Sequence, residues 1–387
     1  MGSLPEKEAL RIPVIDISGF YTGDEIRTRN IVGELRAACE APGFFQVVGH
    51  DVPPQLRADL LTKVADFYRL PAEKKQALDT KNSPCFRGYE KIGTQHLEQG
   101  FDDQKEGFMI SADKPNSTRF LQGTNQWLAE ADAPGFRDTF TAYFEGVRNL
   151  SRTMFRLMSM TLGLDPQYLD NFVDGADGMC RAYRYPPTTP EAASKSRGIG
   201  AHTDFGALTL LMQDEIGGLE VFHKPSGTWH PVQSVKDAFV VNIGDMMERW
   251  TNGRCSSTLH RVISPVSERN RYSVAFFNEG PLDQIIDCIP TCLAPGEQPK
   301  HEPVTPVELE VGEKMEELIK WHYPFPDDLR MECGPKQAED HAGGVFESVE
   351  FPGTYQSDPE YASDEDVGLS RSDDPDASEG EDDDDDN

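Results

Sequence analysis

The sequence predicts a mainly β fold with flanking α-helices: a sandwich or barrel in the second half of the chain, covered by helices from the first half. Two observations carry this. From Cys180 to about Cys288 the chain breaks into short runs rich in β-branched and aromatic residues, punctuated by Gly, Pro and Asn at the spacing of strands in a sandwich or barrel. Before Cys180 the main hydrophobic period is that of a helix, and it is sustained longest from Phe136 to Leu162, where Gly163 ends it.

Taken in order, Ile12 to Ile17 reads as a short strand, Ile31 to Glu40 as a helix, and the apolar run Gly43 to His50 as a second strand. Leu56 to Arg69 has helical periodicity, and Pro71-Ala72-Glu73-Lys74-Lys75 opens another helix with proline in its first turn. After the long helix come strands at Ala182–Tyr185, Leu208–Gln213, Leu219–His223, Phe239–Ile243, His260–Ile263 and Tyr272–Asn278, then a closing helix from Val307 to His322. The chain divides into an amino-terminal helix and strand region (1–120), a core (121–324) and an acidic tail (325–387). From Phe351 onward the tail has fifteen Asp and Glu against the single Arg371, with little apolar to bury, so disorder is expected there.

Charge and composition exclude several function classes. A net charge of −30 leaves no basic face of the kind that phosphate recognition needs, so no nucleic-acid partner is expected. No apolar run approaches the ~18 residues of a membrane span, and no charged segment followed by an apolar stretch opens the chain. The seven cysteines are odd in number and never spaced C-x-x-C. Free thiols in a reducing, cytoplasmic setting follow, with no membrane and no obligatory protein partner.

The chemistry gathers at His202-Thr203-Asp204, just ahead of the run Ala207 to Gln213. In an extended segment side chains two apart share a face, so this imidazole and carboxylate can meet one ion. His260 opens a later run that can pair beside the first. Two imidazoles and one carboxylate on one side of a metal leave its other positions open, the arrangement that suits non-haem iron(II). Alone, H-x-D is a weak signal, since a single histidine is more often structural than ligating. Arg271-Tyr272-Ser273 adds weight: a guanidinium and a hydroxyl two apart on one strand face can grip a carboxylate, and the apolar Val274-Ala275-Phe276-Phe277 beyond them marks the strand as buried. His223 and His230 flank a turn at Pro225-Ser226-Gly227 and read as surface residues.

In order and spacing the chain resembles the iron(II)- and 2-oxoglutarate-dependent dioxygenases of the isopenicillin N synthase-like superfamily. The resemblance runs from Ile12 to Tyr323 through Ile12-Pro13-Val14-Ile15-Asp16, Gly43-Phe44-Phe45, Arg87-Gly88-Tyr89, Gly123-Thr124-Asn125-Gln126-Trp127, Tyr183-Arg184-Tyr185-Pro186-Pro187 and His202-Thr203-Asp204-Phe205-Gly206. It continues through Gly217-Gly218-Leu219, Asn242-Ile243-Gly244-Asp245, Thr251-Asn252-Gly253, His260-Arg261-Val262 and Arg271-Tyr272-Ser273. It implies a double-stranded β-helix, or jelly roll. His202, Asp204 and His260 are then the iron ligands, and Arg271, Ser273 and Tyr185 hold the distal carboxylate of 2-oxoglutarate. Tyr183, where plant members often have Asn, stays outside that set. The implied reaction consumes O2 and 2-oxoglutarate, with ascorbate as an in vitro reductant. It releases succinate and CO2 and hydroxylates or desaturates a small molecule, as in secondary metabolism.

Relatives of the isopenicillin N synthase and aminocyclopropanecarboxylate oxidase types keep the Arg-x-Ser pair without consuming 2-oxoglutarate, so that alternative stays open. A non-catalytic ligand-binding protein would be marked by a damaged metal triad, and this one is intact. On the substrate side the resemblance points to a region only, with Arg87, Phe108, Phe205 and Phe277 as candidates and core packing as the competing role for each Phe.

Overall fold

The structure, a computed structural model, describes residues 10–306 apart from His96, Gln99 and Phe120, so the closing helix and the acidic tail lie outside the described residues. The chain opens with β1 (Val14–Asp16), α1 (Ser18–Tyr21), α2 (Glu25–Glu40), β2 (Phe44–Val48), α3 (Pro54–Arg69), α4 (Ala72–Gln76), β3 (Gly88–Glu90) and β4 (Glu106–Ser111). Next come α5 (Phe136–Thr161), α6 (Asp170–Gly175), β5 (Met179–Tyr185), α7 (Pro190–Ala193), β6 (Arg197–His202), β7 (Leu208–Gln213), β8 (Leu219–His223) and β9 (Thr228–Pro231). β10 (Phe239–Ile243), α8 (Asp245–Trp250), β11 (His260–Ile263) and β12 (Arg271–Asn278) follow.

The strands form two sheets, ordered β1-β2-β10-β7-β12-β5-β4-β3 and β6-β11-β8-β9. Between β5 and β12 the chain passes repeatedly from one sheet to the other, which is the jelly roll. Strands from the amino-terminal region extend the larger sheet at both edges. β1 joins β2 in parallel, β2 pairs antiparallel with β10, and β4 pairs antiparallel with β5.

Two hydrophobic cores follow from this layering. The outer face of the larger sheet is covered by helices, above all by the long amphipathic α5. Its Phe140, Phe144, Val147, Leu150, Met154 and Leu157 recur at helical spacing and are fully or almost fully buried. α2 is capped by Asp24, whose carboxylate accepts from the Ile26 and Arg27 amides, and α3 begins on Pro54. The second core fills the space between the sheets and includes Phe44, Tyr183, Tyr185, Ile199, Val221 and Val262. Successive strand residues therefore serve different cores, and the inner one surrounds the candidate chemistry.

Candidate active site

β6 ends on His202 and β11 begins on His260, and the two residues face each other across the antiparallel pair. Further along, Val262 pairs with Ile199, so the ladder takes three steps on β6 for two on β11. This bulge turns His202 onto the inner face that Ile199 already occupies. Asp204 lies two residues beyond the end of β6 and outside its ladder. The segment is pinned by α8, whose Asp245 and Met246 amides donate to the Asp204 and Phe205 carbonyls. Only glycine permits so close an approach at the helix start, since a Cβ on Gly244 would lie 2.1 Å from the Gly206 carbonyl oxygen.

The potential ligand atoms of His202, Asp204 and His260 all lie within 4.8 Å of one another. His202 Nδ1 is 2.8 Å from the Gly200 carbonyl and His260 Nδ1 is 3.0 Å from that of Thr258. Those bonds fix both tautomers with the proton on Nδ1, leaving each Nε2 lone pair to face Asp204 Oδ1 at 3.5 Å. The other carboxylate oxygen, Oδ2, accepts from Asn242 Nδ2 at 2.7 Å and from the Thr209 hydroxyl. The edge of Phe44 packs on the His260 ring, with centroids 5.1 Å apart. Burial pushes the Asp204 carboxyl up, but where the imidazoles are protonated on Nε2 as well, the charge of His260 and the hydrogen bonds from both rings outweigh it and hold the group well below the carboxylate range; a bound cation would take the place of those Nε2 protons. Two neutral nitrogens and one anionic oxygen, oriented from behind and open in front, fit a divalent iron that needs free coordination positions.

Thr209 and Asn242 hold Asp204 from the neighbouring strands β7 and β10. Asn242→Ala is expected to weaken iron retention by about 10- to 100-fold without loss of fold, as competition against a graded chelator would show.

A second constellation lies on the same inner face. Arg271, wholly buried, pairs in register with Tyr185, and Ser273 pairs with Tyr183. The guanidinium carbon stands 4.6 Å from the Tyr185 ring centroid. Nη2 donates to Gln213 Oε1 at 2.9 Å and Nη1 to the Ser273 hydroxyl at 3.4 Å, while Nε has no acceptor. The buried Gln213 amide nitrogen also lacks one. Among the described residues Arg271 forms no ion pair, so the barrel holds a buried cation ringed by unused donors. A carboxylate is the chemical complement of such a cation and its donors.

Two family models match in chain order: residues 12–130 match the amino-terminal part of non-haem dioxygenases in morphine synthesis, and residues 176–280 match the 2OG-Fe(II) oxygenase superfamily. A 2-oxoglutarate-Fe(II) type oxidoreductase of Emericella nidulans is 40% identical over 302 residues, which span 76% of this chain and 86% of that one. The chain belongs to the 2OG-Fe(II) oxygenase superfamily. Another relative of this oxygenase, clavatol oxidase of Penicillium crustosum, is 35% identical over 70% of this chain and 86% of its own length.

Among solved structures, a full-length Neurospora crassa protein in complex with alpha-KG superposes with a TM-score of 0.72 at 29% identity, covering 80% of this chain and 98% of that one. JOX2 in complex with 2OG, Fe and JA gives 0.65 at 28% identity, covering 78% and 84%. The chain is thus an oxidoreductase, a non-haem Fe(II)/2-oxoglutarate-dependent oxygenase with a jelly-roll core.

The oxygenase's candidate substrate residues are dispersed. Phe277 points inward from β12 and packs against the inner core. Phe205, next to Asp204, is partly buried against the outer core. Arg87 is buried, donates to the Leu121 carbonyl at 2.8 Å, and lines a cleft with Phe86, Met109, Met179 and Glu279. Phe108 lies elsewhere: it is fully buried in the outer core, its ring 4.8 Å from Phe67 and 5.3 Å from Phe136, which is the packing role.

Glu279, which ends the Phe276 to Glu279 stretch expected to border the substrate pocket but was not among the named candidates, sits in the same cleft. Burial drives its carboxyl up to about 7 against the pull of Arg181 and Arg87. Tyr183 stands in the inner core beside Tyr185, with ring centroids 6.2 Å apart. His223 and His230 flank the expected turn, half-buried and hydrogen-bonded to Ser226 and Thr228 respectively.

Proposed function

We propose that His202, Asp204 and His260 hold iron(II), and that Arg271, Ser273 and Tyr185 hold the distal carboxylate of 2-oxoglutarate. The oxygenase then hydroxylates or desaturates a small organic molecule of secondary metabolism in the cytoplasm. The observation that carries this reading is the convergence of three oriented ligand atoms on the same barrel interior as a wholly buried arginine that forms no ion pair among the described residues. Relatives named for the oxidation of small molecules support the substrate class, and six free thiols among the described residues suit a reducing compartment.

Bound iron with 2-oxoglutarate and O2 supplies the oxidising power, releasing succinate and CO2 as the substrate is oxidised. The protein's part is orientation. The imidazoles, held by Gly200 and Thr258, present fixed lone pairs to the metal, while Thr209 and Asn242 keep one oxygen of Asp204 turned toward it. Arg271 neutralises the co-substrate's far end, and Tyr185 lies alongside its guanidinium. The cleft containing Arg87, Glu279 and Met179 is the candidate substrate approach, supported by the Glu279 side chain, which a Cβ on Gly206, two residues beyond Asp204, would meet at 3.1 Å. Protein supplied with iron(II), ascorbate, O2 and 2-oxoglutarate is expected to form succinate in step with an oxidised product across a panel of small-molecule candidates. Product formation indifferent to 2-oxoglutarate would refute the co-substrate assignment.

A further inference from the structure

One buried cation in the barrel wall has no part in the scheme above. Gly107 on β4 pairs with Tyr183 on β5, so the inward alternation of Tyr183 and Tyr185 is matched by Gly107 and Lys105, while Glu106 and Phe108 turn to the other face. Lys105 is only 4% exposed. Its ammonium stands 5.0 Å from the centre of the Tyr183 ring and donates one hydrogen bond, to Gln95 Oε1.

Among the described residues it forms no ion pair, although the Glu90 carboxylate lies on the same face, where a Cβ on Gly107 would meet its Oε2 at 3.4 Å. The Gln95 amide nitrogen is buried beside it without a partner. The segment is anchored to the opposite sheet, since the Gln104 amide donates to the Arg197 carbonyl at 2.7 Å and Asp103 Oδ1 accepts from the Gly200 amide at 2.9 Å. A buried ammonium whose one hydrogen-bond partner is neutral is costly unless an anion joins it, and the Gln95 amide nitrogen offers an unused donor beside it. Arg271 approaches Tyr185 from β12 on one side of β5, and Lys105, the residue just before β4, approaches Tyr183 from the other.

We propose that Lys105, positioned by Gln95, is a second cationic anchor for the distal carboxylate of 2-oxoglutarate. This rests on the reading that Arg271 is the first anchor. Two cations across one tyrosine pair would grip that carboxylate from both sides, and the site would discriminate strongly between a 2-oxo dicarboxylate and a 2-oxo monocarboxylate.

The test is calorimetric titration of full-length protein loaded with manganese(II) in place of iron, so that binding is read without turnover. The ligands are 2-oxoglutarate and 2-oxobutyrate, which lacks the distal carboxylate. Lys105→Met is expected to weaken 2-oxoglutarate by about 10- to 100-fold and to leave 2-oxobutyrate unchanged, with Lys105→Arg recovering most of the loss. Unchanged 2-oxoglutarate affinity in Lys105→Met, or equal weakening of both ligands, overturns the proposal. Lys105→Arg keeps the charge and guards against misfolding as the cause. If wild-type protein does not distinguish the two ligands and Arg271→Leu changes neither, the underlying anchor reading fails instead.

Discussion

Asp204→Ala protein purified without oxygen is expected to contain background iron and to lose turnover by on the order of 10³-fold or more, because several kcal/mol of metal-derived stabilisation goes with the ion. Asp204 contributes the one negative charge of the triad, its Oδ1 lies 3.5 Å from both Nε2 atoms, and among the described residues no other carboxylate joins the two histidines. The substitution also strands the Thr209 hydroxyl and the Asn242 amide, which both donate to Oδ2. His202→Ala is expected to have the same consequence through loss of an oriented nitrogen. The measurement is iron per chain by elemental analysis, with circular dichroism showing that the jelly roll persists. Wild-type iron content in Asp204→Ala would remove these residues from the metal centre.

Several features of this site were legible because their signal is local. Leu208–Gln213, Leu219–His223, Phe239–Ile243 and His260–Ile263 form strands with the expected bounds, since each is a short β-prone run between turn residues. Arg271 and Ser273 share a face as their spacing requires. What stayed hidden depends on pairing. The bulge between β6 and β11 that brings His202 inward is a mismatch between two strands, and neither strand shows it alone.

β4 and β6 were not anticipated as strands. Every residue of β4 is buried, because one face serves the helices and the other the barrel, so no polar alternation marks it. The same double burial hides which residues in and next to it face the site. Phe108 looks like a pocket residue and faces the helices, whereas Lys105 looks like a surface residue and faces the barrel. Thr209 and Asn242 were missed for a related reason: their value comes from meeting Asp204 across β7 and β10, and a lone Thr or Asn in a strand carries no mark of it.

The substitution with the next largest effect separates affinity from fold. Arg271→Leu is expected to raise the KM for 2-oxoglutarate by roughly 10²- to 10³-fold, the cost of leaving a carboxylate desolvated without its buried cation. Arg271→Lys is expected to recover little, because a lysine can neither fork between two acceptors nor stack on Tyr185 as the guanidinium does at 4.6 Å. Stability should move differently. Arg271 is wholly buried with its Nε unpaired, so without ligand the protein already bears the cost of an uncompensated charge, and Arg271→Leu should melt no lower than wild type. Added 2-oxoglutarate at about 100 times its Kd stabilises a folded protein by about 2.7 kcal/mol, and that gain should vanish in the variant. Thermal melts with and without 2-oxoglutarate read both effects at once. If Arg271→Leu melted well below wild type in the absence of ligand, the arginine would be part of the scaffold; a ligand-dependent upshift equal to wild type would mean that it does not hold the co-substrate.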